Sequence, residues 1–185
     1  MGAGDRMIRL EWAQLEGRRP HALGRNARLP AHGALVKVPV CRVTTENGLV
    51  GVGLSRVDIE TGYEALGQPI TRFFGERGTA NRWQALDYPM WDLAAKQEGV
   101  PVWQLVRALY SAEAFGSVPP SVNCYDTSFY FEEAVPPRRE AEELAERAAA
   151  SYQDGHRAFK VKVGRGARWM GAAEGMDRDV AVIEA

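Results

Sequence analysis

Half of the lysines in this chain sit in one tripeptide. Of 23 basic residues only four are lysine, Lys37, Lys96, Lys160 and Lys162, and one valine separates the last two. The local sequence is Ala158-Phe159-Lys160-Val161-Lys162-Val163-Gly164. Its pattern predicts a short buried strand over 158–163 that runs into a glycine-marked loop. Side chains alternate along a strand, so Phe159, Val161 and Val163 share one face and the two lysines share the other. A strand buried on both sides reads as nearly continuous apolar sequence. Two ammonium groups on one such face break that pattern, and each costs on the order of several kcal/mol to desolvate without a partner. Arginine keeps its proton inside proteins, whereas a buried lysine gives it up readily. Like charges about 7 Å apart, two strand residues, oppose each other's charged form, and burial pushes the same way. One of the pair is therefore expected to lose its proton easily, which points to proton-transfer chemistry. The alternative is an edge strand carrying two solvated lysines.

Composition narrows the classes of function. The chain has 185 residues, is 45% hydrophobic and carries a net charge of −1. That length fits one large or two small domains. There is no basic excess for nucleic acid and no polybasic run for a membrane surface. No apolar run approaches the roughly 18 residues of a membrane span, and the N-terminus lacks an apolar signal core, so a cytoplasmic location is expected. Cys41 and Cys124 form neither a disulfide framework nor a metal-ligand spacing, and both are expected to be small buried hydrophobes.

Two kinds of element must position the lysines. Residues 7–16 predict a first strand, with Ile8, Leu10, Trp12 and Gln14 at alternate positions. Residues 17–33 read as a loop rich in glycine, arginine and proline. It holds groups able to grip an anion, Arg18, Arg19, Arg25, Arg28 and a protonated His32; the alternative is a solvated connector. Residues 35–45 and 49–54 predict a hairpin closed by Asn47-Gly48, a pair that tolerates the positive φ such turns need. Gly51 and Gly53 leave one face almost bare, so close packing is expected there. Residues 58–78 predict helix in two pieces, broken around Gly67 and Pro69. A longer helix follows over 80–97, with Trp83, Leu86, Met90, Trp91, Leu93 and Ala94 as its apolar face. Pro89 should kink or restart it. Gly99 ends it, and a last helical turn covers 103–109.

Residues 111–120 mark a boundary, and beyond it the pattern changes. Residues 121–125 predict a strand. Residues 126–137 predict a polar, aromatic loop with Asp126, Thr127, Ser128, Tyr130, Glu132 and Glu133. Residues 138–153 predict an amphipathic helix with Ala141, Leu144, Ala145, Ala148 and Tyr152 on its stripe, stopped by Gly155. The lysine strand comes next, then a loop over 164–175 and a helix from 177, with Val180 and Ile183 facing a core. Strand–helix–strand–helix is the alternation of a parallel sheet with crossover helices. Two such units cannot cover both faces of a sheet, so the chain is expected to be part of something larger.

These features carry a family resemblance. The antiparallel hairpin, the helical layer ending in Gly-Val-Pro-Val-Trp-Gln-Leu-Val and the later Phe-Lys-Val-Lys-Val-Gly strand resemble the enolase superfamily. Within it the sequence resembles the mandelate racemase and muconate lactonizing enzyme branch, from about Met7 onward. The resemblance implies an α+β capping domain over residues 1–117, followed over 118–185 by the first two β/α units of an incomplete (β/α) barrel. It implies that Lys162 is the base removing the proton α to a carboxylate. It implies that Lys160, beside it, stabilises the carboxylate or the enediolate. It implies Mg²⁺ in the complete enzyme, held by carboxylates on later strands outside this chain, so that the isolated chain should be inactive. Arg18, Arg19, Asn26, Arg28, His32 and Asp126 are the candidate substrate-binding residues. Expected partners are a small-molecule carboxylate or sugar acid, with no nucleic acid and no membrane, and a homo-oligomer in the complete enzyme. Racemisation, cycloisomerisation and dehydration all stay open, as an isomerase or a lyase. Sugar-acid dehydration is preferred because the polar loops suit a polyhydroxylated acid. Two other readings stand beside these: a Schiff-base enzyme with Lys162 as nucleophile, and a non-catalytic fragment that only associates with a partner.

Overall fold

A Cβ placed on Gly51 would stand 2.2 Å from the Pro89 carbonyl oxygen, and one on Gly53 would stand 2.4 Å from the Tyr88 Cβ. The bare face read from the sequence is therefore filled by backbone, and this contact organises the first part of the fold. The computed structural model describes residues 5–76, 78–110, 121–131 and 136–184. They divide into two compact units, the described residues of Met1–Glu16 with Lys37–Pro120, and those of Gly17–Val36 with Ser121–Ala185. The boundary expected at 111–120, with the 117/118 division inside it, lies outside the described residues, as do Glu132 and Glu133.

A three-stranded sheet is ordered β1 (Met7–Leu23), β2 (Gly33–Thr45) and β3 (Val50–Leu54). β2 and β3 are antiparallel, with Cys41 opposite Gly53 and Val43 opposite Gly51. The Asn47-Gly48 turn holds as expected, with Gly48 at φ 79° and its N–H donating to the Thr45 carbonyl. The first strand is longer than the sequence predicts. It runs through Gly17, Arg18, Arg19 and Pro20 to Leu23, so the loop shrinks to residues 24–32. β1 lies at the sheet edge, where proline's missing N–H is tolerated. Arg19 ties this part of the strand down by donating to the Gly33 and Leu35 carbonyls, at 3.3 and 2.6 Å.

After β3 come α1 (Ile59–Ala65), capped by the Asp58 side chain on the Thr61 N–H, and a 3-10 turn, Ile70–Phe73. A two-residue pair, β4 (Phe74–Gly75) and β5 (Gly78–Thr79), follows. The expected 80–97 helix is a 3-10 stretch, Asn81–Leu86, and then α2 (Asp87–Gln97). Pro89 falls in the first turn of α2, where backbone N–H groups have no partner within the helix, so it restarts the helix and does not kink it. α3 (Val102–Tyr110) closes the series. Met7, Cys41, Val43, Ile70, Phe73, Trp83, Leu86, Met90 and Leu93 form one apolar core. The aromatic residues here are packing groups: Phe73 meets Trp83 at 4.8 Å and Phe74 meets Trp91 at 5.0 Å. Trp12, Tyr63 and Tyr88 are exceptions, being exposed.

The second unit contains β6 (Tyr125–Phe129), α4 (Pro137–Gln153), β7 (Ala158–Val161) and α5 (Ala172–Glu184). β6 and β7 are parallel, with an irregularity between Asp126 and Phe129. The expected 121–125 strand is thus displaced by four residues, because Phe129 and Phe131 are the groups that bury and they set the register. Phe129, Ala141, Leu144 and Val182 form the core, with Ala148 and Val161 against it. α5 begins at Ala172, before the predicted 177. Its buried positions, Gly175 and Val182, lie on one helical stripe, and Val180 and Ile183 are exposed. On α4 the buried stripe includes Glu140 and Ser151, while Ala145 and Tyr152 face solvent. Among the described residues no helix is long and apolar enough to cross a membrane.

Candidate active site

The lysine strand is not buried on both faces, which corrects the expectation. It pairs with β6, Val161 turns to the α4–α5 core, and Phe159, Lys160 and Val163 are exposed. Among the described residues the α4–α5 core lies on the Val161 side of the strand. The two lysines alternate with Val161 and lie beside tyrosines from the neighbouring segment. Lys160 Nζ lies 5.8 Å from the Tyr125 ring centre, and Lys162 Nζ lies 5.1 Å from that of Tyr130.

Lys162 is the more enclosed of the two. Its backbone N–H extends the ladder to the Phe129 carbonyl at 2.9 Å, and its Nζ donates to Thr127 Oγ1 at 2.6 Å. Burial, and after it the Lys160 charge, hold the Lys162 amine below the ordinary lysine range. The tyrosine face and the Thr127 oxygen favour the ammonium, so desolvation and like charge outweigh both. Of the two lysines, Lys162 is the one whose charged form is disfavoured.

A buried ion cluster fixes the backbone just past the lysines. Gly164 takes φ 101°, a left-handed conformation suited to glycine. Asp179 on α5 accepts the Gly164 N–H at 2.6 Å and the Arg165 N–H at 3.3 Å. The Arg165 guanidinium, 2% exposed, pairs with Asp179 and with Glu140 on α4. Glu140 also pairs with Arg178 at 2.9 Å, and Arg165 lies over the Phe131 ring. Both helices of the unit are thereby keyed to the turn that ends the lysine strand. Nothing in the sequence pattern marks this cluster. A buried Glu140 on a helix rich in charge leaves no periodic signal.

The six other candidate residues are placed differently. His32 stands edge-on to Tyr130 with ring centres 5.1 Å apart, so Tyr130 contacts both His32 and Lys162. Asn26 uses its side-chain oxygen to accept the Arg28 and Leu29 N–H groups at 2.9 Å each, shaping its own loop. Arg28 and Arg18 are exposed, and Arg19 is tied to strand carbonyls. Asp126 turns toward α4: one oxygen accepts the Ser128 N–H and the other the Ser151 hydroxyl, each at 2.8 Å. Burial pushes the Asp126 carboxyl up. The Ser128 and Ser151 hydrogen bonds and the His156 charge together outweigh that and hold it below the ordinary range. Thr127 and Tyr130, read from the sequence only as residues of a polar loop, are neighbours of Lys162. Among the described residues no group of three His, Cys, Asp or Glu is placed to hold a metal ion.

No protein-family model matches the chain and no curated protein matches it, but solved structures do. All of the chain is similar to a galacturonate dehydratase from Geobacillus sp., complexed with D-galacturonate and 5-keto-4-deoxy-D-galacturonate, at 31% identity and a TM-score of 0.80. Over 99% of its length it is similar to a mandelate racemase/muconate lactonizing protein from Geobacillus sp. Y412MC10, complexed with magnesium and tartrate, at 32% identity and a TM-score of 0.83. It shares the fold of an L-talarate/galactarate dehydratase from Salmonella typhimurium LT2 over 98% of its length, at 21% identity and a TM-score of 0.60. The chain covers 48% of each of these three proteins, about half their length.

Proposed function

Since the chain belongs to the mandelate racemase/muconate lactonizing enzyme branch of the enolase superfamily, as an N-terminal part, we propose that it supplies the proton-abstracting lysine of a Mg²⁺-dependent enzyme acting α to a carboxylate. The observation that carries this is Lys162, held below the ordinary lysine range beside Lys160. Neutral Lys162 takes the α-proton, and the electron pair of that C–H bond moves into the carboxylate to give an enediolate. The charge that develops lies beside the Lys160 ammonium, which needs no reorganisation to meet it. In a dehydration the enediolate pair then forms the Cα=Cβ double bond, and the β-hydroxyl leaves as hydroxide with the electrons of its C–O bond. A sugar acid is the preferred substrate. The polar groups of residues 17–36 belong to the same unit as the lysines, and the galacturonate dehydratase likeness supports that choice.

The described residues do not fit the metal: none of their acidic clusters is arranged as a site. In this reading Mg²⁺ belongs to the complete enzyme and its ligands come from outside these residues. Calorimetric titration of the 185-residue chain with Mg²⁺ should give no stoichiometric site. One tight site would overturn this assignment.

The test of the base is exchange of the substrate α-proton with deuterated solvent in the complete enzyme. Lys162→Arg keeps the charge but cannot serve as a base near neutral pH, so exchange should fall by roughly 10²-fold or more. In the unsubstituted enzyme the rate should rise with pH through a value below that of an ordinary lysine. Exchange at the unsubstituted rate in Lys162→Arg would remove Lys162 from this role.

A further inference from the structure

Residues 24–32 form a preformed loop. The His32 N–H donates to the Gly24 carbonyl at 3.3 Å, the Asn26 N–H to the Leu29 carbonyl at 3.2 Å, and the Asn26 side chain holds two further N–H groups. A loop closed on itself in this way still has to be placed. Two neighbouring side chains from the turn after the lysine strand grip its main chain. Trp169 Nε1 donates to the Asn26 carbonyl at 2.6 Å, and Arg168 Nη1 donates to the Arg28 carbonyl at 2.7 Å. The Arg25 guanidinium lies 4.8 Å from the Trp169 ring centre, and the Arg168 guanidinium lies 5.0 Å from it. A Cβ on Gly164 would stand 3.1 Å from the Ala27 Cβ, so the loop also lies close against the left-handed glycine itself. The carrier is fixed in turn, because Asp179 holds the Gly164 and Arg165 amides and Glu140 holds the Arg165 side chain.

We infer that Trp169 and Arg168 are positioning residues that set where the 24–32 loop, with Asn26, Arg28 and His32, stands relative to Lys162. The inference rests on the reading of Lys162 as the base only for its consequence in catalysis; the clamp itself is a matter of geometry. Both donors bind carbonyls, so they fix the path of the main chain whatever side chains the loop carries. The other end of the loop is tied to the segment beside Lys162. There the Phe131 N–H donates to the Arg25 carbonyl at 2.9 Å, and His32 meets Tyr130. Loosening the clamp should therefore be felt at His32.

The test compares Trp169→Phe, which keeps a ring and loses the N–H, with Arg168→Met and the conservative Arg168→Lys. In the 185-residue chain, amide hydrogen exchange of residues 24–32 should accelerate about tenfold in Trp169→Phe and in Arg168→Met, with partial recovery in Arg168→Lys. The ring protons of His32, one of three histidines, should lose the shift imposed by the Tyr130 ring, while the amides of residues 160–162 keep their protection. In the complete enzyme, KM for D-galacturonate should rise several-fold and kcat should fall less. Unchanged exchange and an unmoved His32 signal would overturn the inference, and so would a loss of kcat at constant KM. If the unsubstituted complete enzyme exchanges no α-proton of any hexuronate, the preference for a hexuronate substrate fails, and the exchange and His32 measurements still decide the clamp.

Discussion

Leu93 in the first unit and Glu140 in the second are both fully buried, at 0% exposure. Leu93 sits in a broad apolar cluster with Met90, Leu86, Phe73 and Val43. Glu140 sits beside a small one, Phe129, Ala141, Leu144 and Val182, and its carboxylate is shared by Arg165 and Arg178. A core built by apolar burial gains about 25 cal/mol per Å² removed from water and asks little of geometry. A core built around ions gains little net energy, because desolvation offsets the attraction, but it fixes a backbone path. The second unit is the one that holds the lysines, where the position of a turn matters more than bulk stability.

The largest expected effect separates these two designs. Glu140→Gln leaves Arg165 and Arg178 without their shared charge and should cost about 3–5 kcal/mol. Leu93→Ala should cost about 2–5 kcal/mol through lost burial and a residual cavity. Hydrogen exchange read by peptide should show where each loss falls. Glu140→Gln should strip protection from β6, α4 and α5 and spare β2, β3 and α2, and Leu93→Ala should do the reverse. Equal loss across both units in either variant would mean that they unfold as one body, and the contrast drawn above would fail.

The same contrast explains which parts were legible in the sequence. Apolar burial leaves periodic signals, so the hairpin, the Asn47-Gly48 turn, the faces of α2 and the close approach at Gly51 and Gly53 could be read. The lysine pair could be read because its residue type was so rare in the chain. What escaped were features whose signal is not periodic. Pro20 and the arginines around it read as loop, yet they belong to an edge strand pinned by Arg19. Asp126, Thr127 and Ser128 read as loop because polar residues dominate, whereas the strand there is set by Phe129. Glu140, Arg165, Asp179 and Trp169 carry no pattern at all, since each is specified by a partner at least 14 positions away.

A smaller effect concerns acid. Asp126 bonds Ser128 and Ser151, and its carboxyl is held below the ordinary range. A depressed folded-state value means that this contribution is full above the ordinary carboxylate value. It is lost as pH falls through the folded-state one. Asp126→Asn should cost about 1 kcal/mol at pH 7 and progressively less in acid. Paired urea titrations at pH 7 and pH 3, followed through α4 and β6, would measure it. A cost that does not shrink at pH 3 would assign the loss to shape and not to charge.

The smallest effect is an expected absence of change, and it isolates the first unit. The expectation that both cysteines are buried holds for Cys41, at 1% exposure, and fails for Cys124, which is exposed just before β6. Burial pushes the Cys41 thiol up to about 11, against a weaker opposing hydrogen bond with Ser55, so little thiolate forms at pH 8. A thiol reagent should therefore label Cys124 quickly and Cys41 only when the first unit opens. Glu140→Gln acts on the second unit, so it should leave the Cys41 labelling rate within about twofold of the unsubstituted chain, while Leu93→Ala should raise it by roughly tenfold or more. Faster Cys41 labelling in Glu140→Gln would show that the ion cluster around Arg165 supports the apolar core as well as its own.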